Sequence, residues 1–209
     1  MSVYQTHRLG ADCTAVLWKI EEREDELRPL LTLTLPEQME LLEITHPAQR
    51  VEWLACRAAV QALVRPFGTY SGLYKDEYGK PHLIGQNAHI SISHTAGWAA
   101  AVLHHSRAVG IDIEPFREQF VRVVPRVLSD EENRHANGDI HRLAVYWCAK
   151  EALYKLYGKR QLTFREHLHV EPFADNAGLL TGHVRLPDDV RELTIHYFET
   201  GPGMLAIAF

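Results

Sequence analysis

The apolar positions of this chain follow two periods, and the period changes along its length. Residues 13–20 (Cys13-Thr14-Ala15-Val16-Leu17-Trp18-Lys19-Ile20) read as a strand, followed by a charged turn over 21–29. Pro36 opens a helix with Glu37 and Glu40 in its first turn, where the helix dipole favours acids. Over 47–65 the period is helical: Val51, Leu54, Ala55, Ala58, Ala62 and Leu63 recur on one face, and Pro66 and Gly68 end the run. Tyr78-Gly79-Lys80-Pro81 is a turn. His89 to Ser93 and Trp98 to Leu103 form two strands joined through Thr95-Ala96-Gly97, a hairpin signal. Val109 to Glu114 is a further strand, stopped by Pro115. Helical patterns follow at about 117–127, 129–136 and 139–158, the last beginning beyond Asn137-Gly138 and ending at Gly158. The remainder is mostly strand, at about 167–172, 179–185, 192–199 and 203–209.

A weak internal repeat underlies this order. Trp53-Leu54-Ala55-Cys56-Arg57 and Trp147-Cys148-Ala149-Lys150-Glu151 occupy corresponding long helices. Ile90 to Leu103 parallels Ile195 to Ala208, each a strand, a Gly-containing turn and a small-residue apolar strand. The expected fold is α/β in the α+β sense. Two similar subdomains form a pseudo-dimer, each a small antiparallel sheet packed with a long helix, with the active site in the cleft between them. The boundary is expected near Arg107, giving residues 1–106 and 107–209. A chain that already carries both halves is expected to be a monomer.

Composition narrows the class. The 209 residues are 46% hydrophobic and 23% charged, as in soluble globular proteins. A net charge of −5 argues against nucleic acid as a partner. Met1 to Ile20 lacks the pattern of a signal peptide and no run is long and apolar enough for a membrane span, so a cytoplasmic location without membrane association is expected. Cys13, Cys56 and Cys148 form no CxxC pair, and their odd number argues against a disulfide framework. His104-His105 and His167-Leu168-His169 lack the partners of a zinc site.

The chemistry concentrates in three carboxylates set in apolar runs. Asp112 and Glu114, in Gly110-Ile111-Asp112-Ile113-Glu114, are two apart on a strand and share a face, with Ile111 and Ile113 expected to enter the core on the other. Like charges this close repel unless a cation lies between them. Glu151 lies on a helix one turn before Lys155. Taken separately, the first pair also fits a solvated strand edge and the second an ordinary surface salt bridge. Taken together, three oxygen ligands beside a lysine suit Mg²⁺ holding a phosphorylated substrate. Ser93 and His94 close a strand where they could donate to phosphate oxygens; no GxSxG elbow supports a nucleophilic Ser93. Arg50 and Arg57 are two helical turns apart, and Lys75 and Lys80 flank Asp76-Glu77. Such cations form a pocket for a terminal phosphate if they converge.

In sum these residues resemble the Sfp-type 4′-phosphopantetheinyl transferases of the two-lobed class. The resemblance rests on Gly110-Ile-Asp-Ile-Glu114, Trp147-Cys-Ala-Lys-Glu-Ala-Leu-Tyr-Lys155, Ile92-Ser-His94 and Tyr78-Gly-Lys-Pro81, in the family's order. It covers about residues 45–209. It implies transfer of the 4′-phosphopantetheine arm from coenzyme A to a serine of an apo acyl or peptidyl carrier protein, with release of adenosine 3′,5′-bisphosphate. It further implies Mg²⁺ on Asp112, Glu114 and Glu151, and Lys155 on the pyrophosphate. Ser93 and His94 would meet coenzyme A phosphates, with Lys75, Lys80 and Arg50 or Arg57 near the nucleotide. The N-terminal subdomain would thus serve the nucleotide and the C-terminal one the metal and catalysis. Either Glu151 or Glu132 would take the serine proton; Glu132 also reads as an N-terminal helix acid after a capping Ser129. Ile113 stands where some members carry a further metal contact. Phe116 to Val127, with Arg117, Arg122 and Arg126, is the expected carrier dock. A non-catalytic binding module and a generic Mg²⁺-dependent phosphohydrolase are the competing classes.

Overall fold

The computed structural model describes residues 3–201 and 203–209. They divide into two compact units, residues 1–108 and 109–209. In the first, strands β1 (Val3–Arg8) and β2 (Cys13–Lys19) precede helices α1 (Glu24–Leu27), α2 (Leu35–Glu43) and α3 (Pro47–Val64). The short strands β3 (Leu73–Lys75) and β4 (Pro81–Leu83) pair with each other, and the hairpin β5 (His89–Thr95) and β6 (Trp98–His104) completes the unit. The main sheet is antiparallel in the order β1-β2-β6-β5. Its core packs Val16, Trp18, Ala99 and Ala101 against Leu54, Ala55, Ala58 and Ala59 of α3.

The second unit runs β7 (Gly110–Glu114), α4 (Phe120–Val123), α5 (Asp130–Ala136), α6 (Ile140–Tyr157), α7 (Phe164–His167), β8 (Leu168–Val170), β9 (Leu179–Leu186), β10 (Asp189–Thr200) and β11 (Gly203–Ala208). Its antiparallel sheet has the order β7-β11-β10-β9-β8 and packs on α6. The fold is α+β, two sheet-plus-helix halves built around α3 and α6. Each half repeats one plan: an entering strand (β2 or β7), helices that include the long one, then a hairpin whose second strand pairs with the entering strand.

Several elements differ from the sequence expectation. The helix expected at about 117–127 is reduced to α4 and a 3₁₀ turn at Val124–Arg126, because Pro125 removes an amide donor. The strand expected at 167–172 shrinks to β8 behind the single turn of α7. β1 follows no clear alternation, being exposed along most of its length at the sheet edge, and the pattern missed it. In β7 the isoleucines and the acids do not divide into core and solvent. Ile111 and Ile113 are buried, but so is Asp112, and the acid-bearing face is the one that α6 covers. Gly110 makes this possible: a Cβ there would collide with the Ala152 carbonyl and the Leu156 amide of α6.

Candidate functional site

The close approach at Gly110 sets two residues of β7 against two of α6. Asp112, two residues on and on the same face, accepts a hydrogen bond at Oδ1 from Lys155 Nζ at 2.7 Å. Glu114 Oε2 lies 2.9 Å from the guanidinium of Arg117, just beyond the Pro115 that ends the strand. Glu151 stands one helical turn before Lys155. The α6 sequence turns these groups toward β7 while Leu143, Tyr146 and Leu153 enter the unit's core.

Electrostatics tie the three acids into one cluster. Burial pushes the Glu151 carboxyl up to about 7, and the charge of Asp112 adds to the rise; Lys155 opposes it. Burial raises Glu114 as well, again with Asp112 adding and Arg117 opposing. Cys148, fully buried, is pushed well up by burial and by Asp112 and Glu114, which makes it an inert thiol. Glu114 and Glu151 are therefore both held up by the charge of Asp112, a condition that a cation relieves.

In kind the donor set fits a hard divalent cation such as Mg²⁺, which takes carboxylate oxygens. It is not closed on one point. Among the described residues no three His, Cys, Asp or Glu side chains are gathered tightly enough to hold a metal ion. Asp112 and Glu114 are instead each turned to a basic side chain.

Glu132, the other candidate base, has a different environment. Its side chain is fully buried. Oε1 accepts from the Val170 amide at 2.9 Å; Oε2 accepts from the Ser129 amide at 2.6 Å and pairs with Lys150 Nζ at 2.7 Å. Ser129 caps α5 and bonds the Glu132 amide in return. Lys150, also fully buried, donates to the carbonyls of Val127, Phe164 and Leu168. The pair knits α5, α7 and β8 onto α6. Sequence reading passed over Lys150 as one letter of a motif. Its spacing of seven from Leu143, with Tyr146 and Leu153 between and beyond, marked it as a core position needing an acid.

In the first unit the predicted basic residues separate. Arg57, Lys75 and His94 line a pocket of about 610 Å³ together with Trp53, Tyr74 and Glu40. Arg57 lies 4.1 Å over the Trp53 ring and pairs with Glu37 and Glu40, each at 3.0 Å. Lys75 reaches Glu40 at 2.6 Å, and His94 lies 3.7 Å from Glu52. Arg50 does not join them. It pairs with Glu24 and donates to the carbonyls of Leu41 and Ile44, stapling α1 and the end of α2 to α3. Ser93 is buried within β5. Lys80 has its ammonium pushed down to about 8 by burial.

Two likenesses to known proteins bear on the chain. The family described as "4′-phosphopantetheinyl transferase superfamily" matches residues 108–205, nearly the whole second unit. A Haemophilus influenzae protein named "Putative 4′-phosphopantetheinyl transferase" is 24% identical over 149 residues, which cover 68% of this chain and 63% of that relative. The chain thus spans somewhat less than two thirds of the relative's length. The acids of β7 and α6 lie inside the matched segment, so the second unit, which holds the candidate site, carries the likeness to the 4′-phosphopantetheinyl transferase superfamily.

Proposed function

We propose that this protein transfers the 4′-phosphopantetheine arm of coenzyme A to a serine of an acyl or peptidyl carrier protein. The single observation that carries the reading is the cluster of Asp112, Glu114 and Glu151, held beside Lys155 by the contact of α6 with β7. The likeness of residues 108–205 to the superfamily gives the class of reaction, and the cluster supplies groups suited to it.

The serine Oγ attacks the β-phosphorus of coenzyme A. The bond from that phosphorus to the bridging oxygen breaks, and adenosine 3′,5′-bisphosphate leaves. Asp112, Glu114 and Glu151 would hold Mg²⁺, which when bound neutralises charge on the pyrophosphate. Lys155 adds a point charge for the leaving phosphate. Glu151 takes the serine proton. Glu132 is the weaker choice as base, because both its oxygens are engaged and none of its surface is exposed.

In this reading the first unit serves the nucleotide, in the pocket of Arg57, Lys75 and His94, with Lys80 and Ser93 nearby in sequence. Arg50 is the less suitable arginine, since its guanidinium already holds α1 and α2. The carrier docks on the surface of residues 116–127. Phe120 and Val124 are buried there, which leaves Val121, Val123 and Arg122 to meet an acidic carrier.

Incubation with an apo carrier protein, coenzyme A and Mg²⁺ tests the proposal. The carrier should gain the mass of one phosphopantetheine arm. Failure with carriers from fatty-acid, polyketide and nonribosomal-peptide synthesis would remove it. Binding of coenzyme A without transfer points to a binding module, and phosphate release without a carrier points to a hydrolase.

A further inference from the structure

The two cations of the acid cluster are held in unlike ways. Lys155 projects from the last turn of α6, a helix buried along much of its length, and makes an aligned 2.7 Å hydrogen bond to Asp112. Arg117 comes from the irregular segment between β7 and α4. Its side chain is 45% exposed, against 28% for Lys155. Although its guanidinium lies 2.9 Å from Glu114 Oε2, that oxygen has no hydrogen bond of acceptable alignment. The contact is an ion pair of charge and proximity, not of directed bonding.

Charge balance gives the difference a consequence. Asp112, Glu114 and Glu151 carry three negative charges when ionised, against two positive ones on Lys155 and Arg117. A divalent cation entering that cluster overshoots neutrality unless one resident cation withdraws. Releasing Arg117 requires less. Its guanidinium is already half in water, its segment has no helix or strand bonding to break, and the bond it gives up is poorly aligned. Lys155 would have to leave a nearly buried carboxylate.

We infer that Arg117 is a displaceable counter-ion, which pairs with Glu114 in the metal-free protein and must leave it when the divalent cation binds. This rests on the reading of Asp112, Glu114 and Glu151 as the metal ligands. Arg117 thereby weakens metal binding and offsets the repulsion that Glu114 suffers from Asp112. It acts as a positioning residue through Glu114, not on the reacting atoms. The guanidinium freed from Glu114 then stands at the start of the segment proposed to meet the carrier.

The test is calorimetric titration of the coenzyme A-free protein with MgCl₂ in low-salt buffer, using wild type, Arg117→Gln, Arg117→Lys and Asp112→Asn. Arg117→Gln should bind Mg²⁺ roughly fivefold more tightly than wild type, the scale set by one partly screened charge. The gain should shrink as ionic strength rises. Arg117→Lys should bind like wild type, which a purely structural role for the guanidinium would not give. Arg117→Gln should also melt at a lower temperature than wild type without metal and recover with Mg²⁺. If Arg117→Gln binds no tighter than wild type while Asp112→Asn loses binding, the counter-ion role is overturned and the metal site stands. If neither wild type nor Arg117→Gln takes up Mg²⁺, or Asp112→Asn binds as wild type does, the metal reading falls with it.

Discussion

The two units solve the same packing problem with different residues at matched positions. In β2, Val16 faces Ala101 and Trp18 faces Ala99. In β7, Asp112 faces Ala206 and Glu114 faces Met204. Ala101 and Ala206 hold equal places in the parallel hairpins beginning at Ile90 and Ile195, and likewise Ala99 and Met204. Where the first unit seats Val16 and Trp18 on α3, the second seats two carboxylates on α6. The helices differ in the same manner. Arg57 and Glu151 each follow a tryptophan by one turn, yet Arg57 is answered by Glu37, Glu40 and the Trp53 ring, whereas Glu151 meets further acids. A scaffold that can be filled with apolar residues has, in one copy, been left with uncompensated charge. Electrostatic strain of this sort is stored where a protein works, at a cost in stability.

The comparison can be broken most forcefully at the charged groups that are fully answered. Glu132→Ala leaves Lys150 buried without its counter-charge and strips two backbone amides of their acceptor; the loss should be about 4 kcal/mol of unfolding free energy, read by urea denaturation. Arg57→Ala leaves Glu37 buried and should cost about 3 kcal/mol. The matched substitution in the second unit should have the opposite sign. Glu151→Gln removes a carboxylate that its neighbours repel, and at pH 8 without metal it should stabilise the fold by about 1 kcal/mol. The pH dependence follows from the same group. Its carboxyl rises from an ordinary 4.5 to about 7 on folding. Between those values the folded state binds more protons than the unfolded one. Its contribution to stability is therefore full below about 4.5 and is lost as pH rises through about 7. Thermal melts of the metal-free protein should show this decline, and Glu151→Gln should lack it. At the small end, Asp130→Asn opens an exposed pair with Arg165 and should shift the melting temperature by no more than about a degree.

Much of this was written in the sequence. The helical period of 47–65, the hairpin from His89 and the Gly-Ile-Asp-Ile-Glu strand are local patterns, and each returned as α3, β5–β6 and β7. The α+β architecture in two halves followed from their repetition. What stayed hidden depends on distant partners. Two arginines on one helix face looked like one pocket, but Glu24 and Glu37 draw them apart. Glu132 looked like an available acid because nothing local announces that Lys150, eighteen positions on, will close over it. The acids of β7, taken alone, also fitted a solvated strand edge, because the approach of α6 is licensed by a missing side chain at Gly110.

The central claim is that the carboxylates replacing the first unit's apolar residues are where the second unit acts. Asp112→Val tests it most directly, since it installs at β7 the residue that β2 carries at Val16. With coenzyme A, Mg²⁺ and an apo carrier that the wild type modifies, intact-mass measurement should find the phosphopantetheine gain with wild type and none with the variant, while the variant melts no lower than wild type. Modification by Asp112→Val at the wild-type rate would contradict the account.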